Sequence, residues 1–160
     1  MTNASRAHDN DGASAAGPVP ARVNFITLGV ADLIRASQFY EALGWMRKAR
    51  AWEDNIRFFA LDNLVLGLFP RHHLADDARI ENTPPGFGGI TLAINYASES
   101  DVDRAFAHAL EAGASALKRP VKAEWGGYSG YIADPDGHPW EFAFNPFMPL
   151  DAAGRMQLSD

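Results

Sequence analysis

The stretch VNFITLGVADLIRASQFYEALGW, residues 23–45, sets the pattern of the whole chain. From residue 24 to residue 30 apolar side chains alternate with small or polar ones, which is typical of a β-strand with one buried face. Asp32 is then a good N-cap, because its carboxylate can accept hydrogen bonds from the free amide groups at the start of a helix. Apolar residues at helical spacing follow, and Gly44 is typical of a helix end. The stretch therefore predicts a strand followed by a helix.

The same pattern returns in the second half of the chain. The tripeptide Ile-Thr-Leu of residues 26–28 recurs at residues 90–92, 64 positions later. A second helix is predicted from about Asp101 to Gly113, and three short strands follow each helix. This repeat predicts two β-α-β-β-β modules, whose apolar sheet faces must pair either within one chain or between chains. The strands predicted after the helices lie at residues 45–51, 55–61, 64–69, 115–118, 127–133 and 139–145.

These elements divide the chain into five segments. Residues 1–21 are small and polar and are expected to form a disordered tail, and residues 149–160 are expected to form a C-terminal tail. The first module spans residues 22–70 and the second spans residues 88–148. Residues 71–87 include several proline and glycine residues, so we expect them to form a loop or linker between the modules.

Composition excludes several classes of function. The chain has 160 residues, no cysteine and a formal net charge of −6. Without cysteine there is no disulfide framework, thiolate metal site or cysteine nucleophile. The negative charge disfavours nucleic acid partners, and no apolar run is long enough for a membrane span. The N-terminal residues lack the pattern of a signal peptide, so a cytoplasmic location is expected by default.

A second stretch, WGGYSGYIADPDGHPWEFAF at residues 125–144, contains an unusual charge. Its Asp-Pro-Asp-Gly segment predicts a tight turn, and the flanking aromatic residues predict a β-hairpin. In the outgoing strand Trp140 and Phe142 share one face, whereas Glu141 lies on the other. A carboxylate amid apolar surface costs free energy unless it has a partner, a proton or a ligand. Glu141 is therefore the first candidate for a functional residue.

Together the two stretches resemble the vicinal oxygen chelate superfamily, which comprises glyoxalase I, the bleomycin-resistance proteins and the extradiol dioxygenases. The resemblance covers residues 22–148 and depends on the opening Val-x-Asp and FYxxLG patterns combined with the closing DPDGxxxE pattern. It implies an α+β fold in which two β-α-β-β-β modules form a curled mixed sheet around a cavity. It also implies a homodimer.

The resemblance further implies a divalent metal held by residues on four cavity-lining strands, but this chain departs from that pattern. The expected ligand positions correspond to Phe25, about Gly67, Gly89 and Glu141. Phenylalanine and glycine side chains donate no lone pair, and one carboxylate cannot hold Zn, Ni or Fe against water. We therefore expect no divalent metal and no other cofactor.

Candidate ligand-binding residues follow from the predicted cavity faces and from aromatic groups that could stack on a planar molecule. They are Phe25, Trp52, Phe59, Thr91, Asn95, Trp125, Tyr128 and Glu141. For catalysis Glu141 would be a general base, and the hydroxyl group of Tyr128 or Tyr131 would be an acid. A purely structural role for Glu141, paired with backbone amides or a basic side chain, is equally compatible with the sequence.

Three functions are compatible with these residues. The first is metal-independent binding of a small organic molecule, for example an aromatic one. The second is a glyoxalase-type lyase, isomerase or dioxygenase whose metal is held by Glu141 and by His72 or His73 from the predicted loop. The third is a metal-free enzyme with Glu141 as the base. A structural or regulatory module also remains open.

Overall fold

The computed structural model describes residues 21–49, 54–83 and 86–158. The predicted N-terminal tail up to residue 20 and the candidate residue Trp52 therefore lie outside the described residues. The described residues form eight strands and three helices, which are β1 (Phe25–Val30), α1 (Leu33–Ala42), β2 (Arg47–Lys48), β3 (Arg57–Ala60), β4 (Val65–Pro70), α2 (Arg71–Ala78), β5 (Leu92–Asn95), α3 (Glu99–Glu111), β6 (Ser115–Lys122), β7 (Tyr128–Ala133) and β8 (Pro139–Phe144).

The strands form two four-stranded mixed sheets with the same topology. The first sheet has the order β1-β4-β3-β2, and the second repeats it as β5-β8-β7-β6. In each sheet the first strand pairs parallel to the last strand of its module, and the other described pairs are antiparallel. Neither sheet closes into a barrel. The α+β fold of two β-α-β-β-β modules, which the internal repeat predicts, is confirmed.

One hydrophobic core joins the two modules. Tyr40 of α1 is fully buried, and its ring centroid lies 5.7 Å from that of Phe59 in the first sheet and 6.0 Å from that of Trp140 in the second. Phe106 of α3 and Phe142 of β8 belong to the same cluster of buried residues. Burying each such side chain stabilises the fold by about 1.5–3 kcal/mol. The two modules are therefore held together by a shared core.

The helix ends follow the local signals. Asp32 caps α1, and its Oδ1 accepts hydrogen bonds of 2.9 Å from the amides of Ile34 and Arg35. Gly44, just beyond that helix, has φ = 92°, a conformation that favours glycine. Helix α3 begins two residues earlier than its prediction, because Ser98 is the N-cap and accepts a hydrogen bond from the Asp101 amide.

The predicted linker contains an additional helix. Residues Arg71–Ala78 form α2, where the sequence favoured a loop. The helix is short and mostly polar, and Ala75 is its buried residue, so it lacks the apolar stripe by which amphipathic helices are recognised. No helix within the described parts of the chain is long and apolar enough to cross a membrane.

Because side chains alternate along a strand, each sheet has one face toward the core and one face away from it. Ile26 and Leu28 of β1 pack on the core cluster, so Phe25, Thr27 and Gly29 lie on the other side, which we term the Phe25 face. In β8 the corresponding side carries Pro139, Glu141 and Ala143, and we term it the Glu141 face.

Candidate functional site

Glu141 lies in the middle of β8, on the side of the sheet opposite the core. Its neighbours Trp140 and Phe142 are 5% and 3% exposed, as the strand alternation predicts. In the sheet register Glu141 stands opposite Ala93 of β5 and Tyr131 of β7. Burial raises the pKa of Tyr131, and its hydrogen bond to Glu141 together with the charge of that carboxylate raises it further. The structure thus brings the predicted base together with one of the two predicted acids.

The four positions expected to hold a metal do not form a donor set. Phe25 packs edge-on against Phe58, with ring centroids 5.6 Å apart, on the face that also carries Gly67. Gly89 precedes β5 and has φ = 77°, so it is not part of the strand. The described residues include no group of three or more His, Asp or Glu side chains that could hold a metal ion. The residues present do not fit a divalent metal, because such sites require three or four protein donors.

A cavity of about 580 Å³ lies at the seam between the two modules. Its walls come from β1, from the segment that precedes β5, and from the turn between β7 and β8. Thr27, Gly29 and Pro139, which the sequence places on the same faces as the candidate residues, line this cavity, whereas Glu141 does not. Most of the lining is apolar, and it includes Ile26, Leu28, Phe87, Ile90, Leu92 and Leu117.

Arg71, at the start of α2, brings a positive charge to the cavity wall. Its side chain packs against Gly29, where an added Cβ would lie 3.2 Å from Arg71 Cγ. Arg71 Nε donates a 3.0 Å hydrogen bond to Asn82 Oδ1, and Nη2 donates a 3.2 Å bond to the carbonyl of Thr83. These bonds tie the segment after α2 to the cavity wall.

Asp136 contributes a carboxylate to the same wall: its Oδ1 bonds the protein, whereas its Oδ2 is buried and has no hydrogen-bond partner among the described residues. Asp136 Oδ1 accepts a 2.7 Å hydrogen bond from the Ala31 amide and a 3.1 Å ion pair from Arg35 Nη2. Its side chain is 5% exposed. The carboxylate therefore joins the second module to the start of the first helix.

Asp134 organises the turn between β7 and β8. Its side chain is fully buried and accepts hydrogen bonds from Tyr40 Oη at 2.7 Å and from the backbone amides of Asp136 and His138 at 3.0 and 2.8 Å. His138 Nδ1 lies 2.9 Å from Asp134 Oδ2. Burial raises the pKa of Asp134, but the hydrogen bonds and charge of His138 and the bond from Tyr40 outweigh it and lower the pKa below its usual value. Asp134 is therefore an ionised, buried acceptor.

Two candidate residues are placed away from the cavity by the strand register. Tyr128 lies on the core side of β7, where its hydroxyl donates a 2.8 Å hydrogen bond to Asp103 of α3. It therefore does not share a face with Glu141. Phe59 is fully buried in the core, and its neighbour Phe58 occupies the position beside Phe25 instead. A shift of one residue along a strand moves the side chain to the opposite face of the sheet.

Three other candidates do not line the cavity. Trp125 is 50% exposed in the turn between β6 and β7, and its ring lies directly over Gly127. Thr91 precedes β5 and is exposed, whereas Asn95 is half-buried at the end of that strand. None of these side chains is among the residues that line the cavity.

His72 and His73 lie on α2 rather than in a loop. Their rings are 4.0 Å apart, and both residues are exposed. The part of the chain that the structure describes provides no third donor beside them. His72 and His73 therefore do not supply the set of donors that the metal-dependent alternative requires.

Sequence reasoning missed Arg71 and His138 as cavity residues. Arg71 falls in the predicted linker, and His138 lies three positions from Glu141, a spacing that would put the two side chains on opposite faces of a strand. The Asp-Pro-Asp-Gly-His segment held a usable signal for His138, since a turn-forming aspartate is positioned to bond groups that follow it closely in sequence. Nothing in the sequence places Arg71 beside β1.

Comparison with known proteins agrees with this architecture. A crystal structure of a glyoxalase-related enzyme from Fulvimarina pelagi is 34% identical, covers 88% of this chain and all of that chain, and superposes with a TM-score of 0.79. A lactoylglutathione lyase from Agrobacterium tumefaciens is 21% identical over 79% of this chain and 96% of that one, with a TM-score of 0.60, which shows a shared fold.

Sequence relatives match a shorter region. Uncharacterized proteins from Mycobacterium bovis and Mycobacterium tuberculosis are 40% identical over 58 residues, or 36% of this chain. The match spans 38% of the length of the first protein and 34% of the second. The family model described as Glyoxalase/Bleomycin resistance protein/Dioxygenase superfamily matches residues 22–142, which include the first module and most of the second, with Glu141. The chain therefore belongs to the Glyoxalase/Bleomycin resistance protein/Dioxygenase superfamily.

Proposed function

We propose that this protein binds a small organic molecule, without a metal ion, in the cavity between its two modules. The observation that carries the proposal is the cavity itself, about 580 Å³ in volume and lined mostly by apolar side chains. Small-molecule sites are typically concave and apolar, with a few polar groups that fix the orientation of the ligand. Thr27, Arg71 and His138 are the polar groups of this kind.

The apolar lining favours a ligand with a flat or compact hydrocarbon body. Phe87 and Ile90 are 78% and 69% exposed in the free protein, although both line the cavity. Exposed apolar area of this kind is covered when a ligand binds, and each square ångström buried contributes about 25 cal/mol. An aromatic molecule would cover both side chains.

The absence of a donor set supports binding without metal. The expected ligand positions carry Phe25, Gly67 and Gly89 beside the single carboxylate of Glu141. We therefore expect substoichiometric metal in protein purified without chelator, measured by elemental analysis. Stoichiometric Zn, Ni, Fe or Mn would contradict the proposal and revive the metal-dependent lyase or dioxygenase.

Thermal-shift screening against small aromatic compounds tests binding directly. Ligand at about 100 times its Kd should stabilise the protein by roughly 2.7 kcal/mol. Ile90→Trp, which adds bulk to the cavity wall, should abolish this stabilisation. Ile80→Trp is the matched control, because Ile80 is 65% exposed and does not line the cavity. Equal shifts in the two variants, or no shift with any compound, would reject the proposed cavity.

A second candidate function is favoured by the pairing of Tyr131 with Glu141. The two residues stand opposite each other in the sheet register, and the carboxylate contributes to raising the pKa of the Tyr131 hydroxyl. Such a pair could act as base and acid in a metal-free enzyme that works on the Glu141 face. If that is so, Glu141→Gln abolishes turnover while ligand binding persists. Loss of binding and turnover together would assign Glu141 to binding instead.

A further inference from the structure

We infer that His138 is the hydrogen-bond acceptor of the cavity and that the ligand is an apolar molecule that bears a hydroxyl group. This inference rests on the proposed function and names the class of molecule that the cavity takes. It assigns a role to a histidine that lies in the β7–β8 turn, away from Glu141.

The first step is the proton on His138 Nδ1. This nitrogen lies 2.9 Å from Asp134 Oδ2 and 3.1 Å from Oδ1. An ionised carboxylate only accepts hydrogen bonds, so the ring must donate from Nδ1. A neutral imidazole carries one proton, and Nε2 is then left with a free lone pair. Whenever the ring is neutral, the contact with Asp134 therefore fixes His138 in the tautomer whose outer nitrogen accepts.

The second step is the rigidity of Asp134. Its carboxylate is held by Tyr40 Oη and by the amides of Asp136 and His138, and its side chain has no exposed surface. A carboxylate that is fixed by this many partners cannot rotate away from the imidazole. His138 is accordingly positioned before any ligand arrives, which lowers the entropic cost of binding.

The third step is the position of Nε2. The His138 side chain is 21% exposed and lines the cavity, and no hydrogen bond joins Nε2 to any residue that the structure describes. Of the two charged groups on the same wall, Arg71 bonds Asn82 and Thr83, and Asp136 Oδ1 bonds Ala31 and Arg35, whereas Asp136 Oδ2 is buried and has no partner among the described residues. Because Asp136 Oδ2 is buried whereas the His138 ring is partly exposed, His138 Nε2 is the acceptor that a ligand can reach among the charged and histidine side chains of this wall, beside the hydroxyl of Thr27.

These features define the ligand chemistry. Most of the remaining lining is apolar, so a ligand without a donor would leave the acceptor without its water partners once bound. A site built around a hydrogen bond discriminates strongly against an analogue that lacks the matching group. A phenol or an alcohol on a hydrocarbon body satisfies both requirements.

The test uses two matched probes, 2-naphthol and 2-methoxynaphthalene, which differ in the hydroxyl proton. We expect calorimetry with the wild-type protein to show about fivefold tighter binding of the naphthol, the ratio that one net hydrogen bond supplies. The preference should vanish in His138→Leu and persist in His108→Leu, a change at a histidine of α3 that does not line the cavity. A preference that survives in His138→Leu would overturn the inference.

Failure of the inference and failure of the proposed function give different results. Equal binding of both probes to the wild-type protein would overturn the role of His138 and leave cavity binding intact. No binding of either probe would count against both. Independently of any ligand, nitrogen-15 NMR at a pH where the ring is neutral should show His138 protonated at Nδ1 and not at Nε2. The opposite tautomer would overturn the inference even if the histidine variant were unstable.

Discussion

Tyr40 Oη donates a 2.7 Å hydrogen bond to Asp134 Oδ2, although the two residues lie 94 positions apart in the chain. Tyr40 belongs to α1 of the first module, and Asp134 begins the turn after β7 in the second. The same hydroxyl accepts a 3.2 Å hydrogen bond from Trp140 Nε1. One buried phenol thus links the packing of the modules to the turn that forms the cavity wall.

Removing this hydroxyl should destabilise the protein. Tyr40→Phe leaves Asp134 and Trp140 each without one buried partner, and we expect a loss of about 1–3 kcal/mol in the free energy of unfolding, measured with urea. Tyr128→Phe is the matched control. Its hydroxyl bonds Asp103 on an exposed surface, so water can replace the bond and the loss should be smaller. Equal losses of unfolding free energy in the two variants would show that the buried hydrogen bond contributes no more to stability than the exposed one.

The stability of the fold should depend on pH through Asp134. Burial alone would raise the pKa of this carboxyl, but His138 and Tyr40 lower it below the usual value. The pKa is then lower in the folded than in the unfolded state, so the ionised form stabilises the fold above the unfolded pKa. That stabilisation is lost as the pH falls through the folded pKa.

We therefore predict that the free energy of unfolding decreases below about pH 4. Urea titrations across this range measure it, and carbon-13 NMR of the Asp134 carboxyl reports its folded pKa directly. Asp151→Asn serves as a control, because the pKa of Asp151 is also lowered by hydrogen bonds but the residue is exposed. This substitution should change little the decrease in the free energy of unfolding at low pH. A folded pKa of Asp134 at or above the usual value would contradict the prediction.

Local signals predicted the modules, but not which aromatic side chains reach the site. Asp32, Gly44 and the Asp-Pro-Asp-Gly turn act on their immediate neighbours, so their effects can be inferred from a few residues of sequence. Phe58 and Phe59 are adjacent and equally apolar. Only the pairing of Phe59 with Leu66 and of Phe58 with Gly67 decides which ring enters the core, and that pairing is a tertiary property.

The cavity depends on contacts between distant segments. The residues before β5, including Phe87 and Ile90, return to β1, and Arg71 crosses from α2 to Gly29. Neither contact can be inferred from the conformational preferences of neighbouring residues. The sequence therefore predicted a cavity in the fold, whereas the composition of the observed wall, with Ile26 and Leu28 beside Thr27 and Gly29, required the structure.

Gly130 should be indispensable for the bulged pairing of β6 with β7. A Cβ at this position would lie 2.8 Å from the backbone nitrogen of Pro120 and 2.9 Å from the carbonyl oxygen of Lys118. Backbone atoms cannot move away as a flexible side chain can, so Gly130→Ala should cost about 1–3 kcal/mol of stability. Gly67→Ala is the control, because its nearest contact would be Thr27 Oγ1 at 3.4 Å. If the denaturant midpoints of Gly130→Ala and Gly67→Ala fall equally, the bulged pairing does not specifically require glycine at position 130.

The pKa of Tyr131 should report the charge of Glu141. Burial raises the pKa of this phenol, and the hydrogen bond to Glu141 and the negative charge of that carboxylate raise it further. Glu141→Gln removes the charge but keeps the size of the side chain, so the pKa of Tyr131 should fall toward its usual value without returning fully, because burial remains.

Tyr128 provides the reciprocal control for this prediction. Its pKa is raised first by the hydrogen bond to Asp103, so Asp103→Asn should lower the pKa of Tyr128 and leave that of Tyr131 unchanged. NMR titration of the two ring signals distinguishes the sites within one sample. If Glu141→Gln leaves the titration of Tyr131 unaltered, the pair is not coupled in solution, and the metal-free acid–base chemistry that depends on it loses its support.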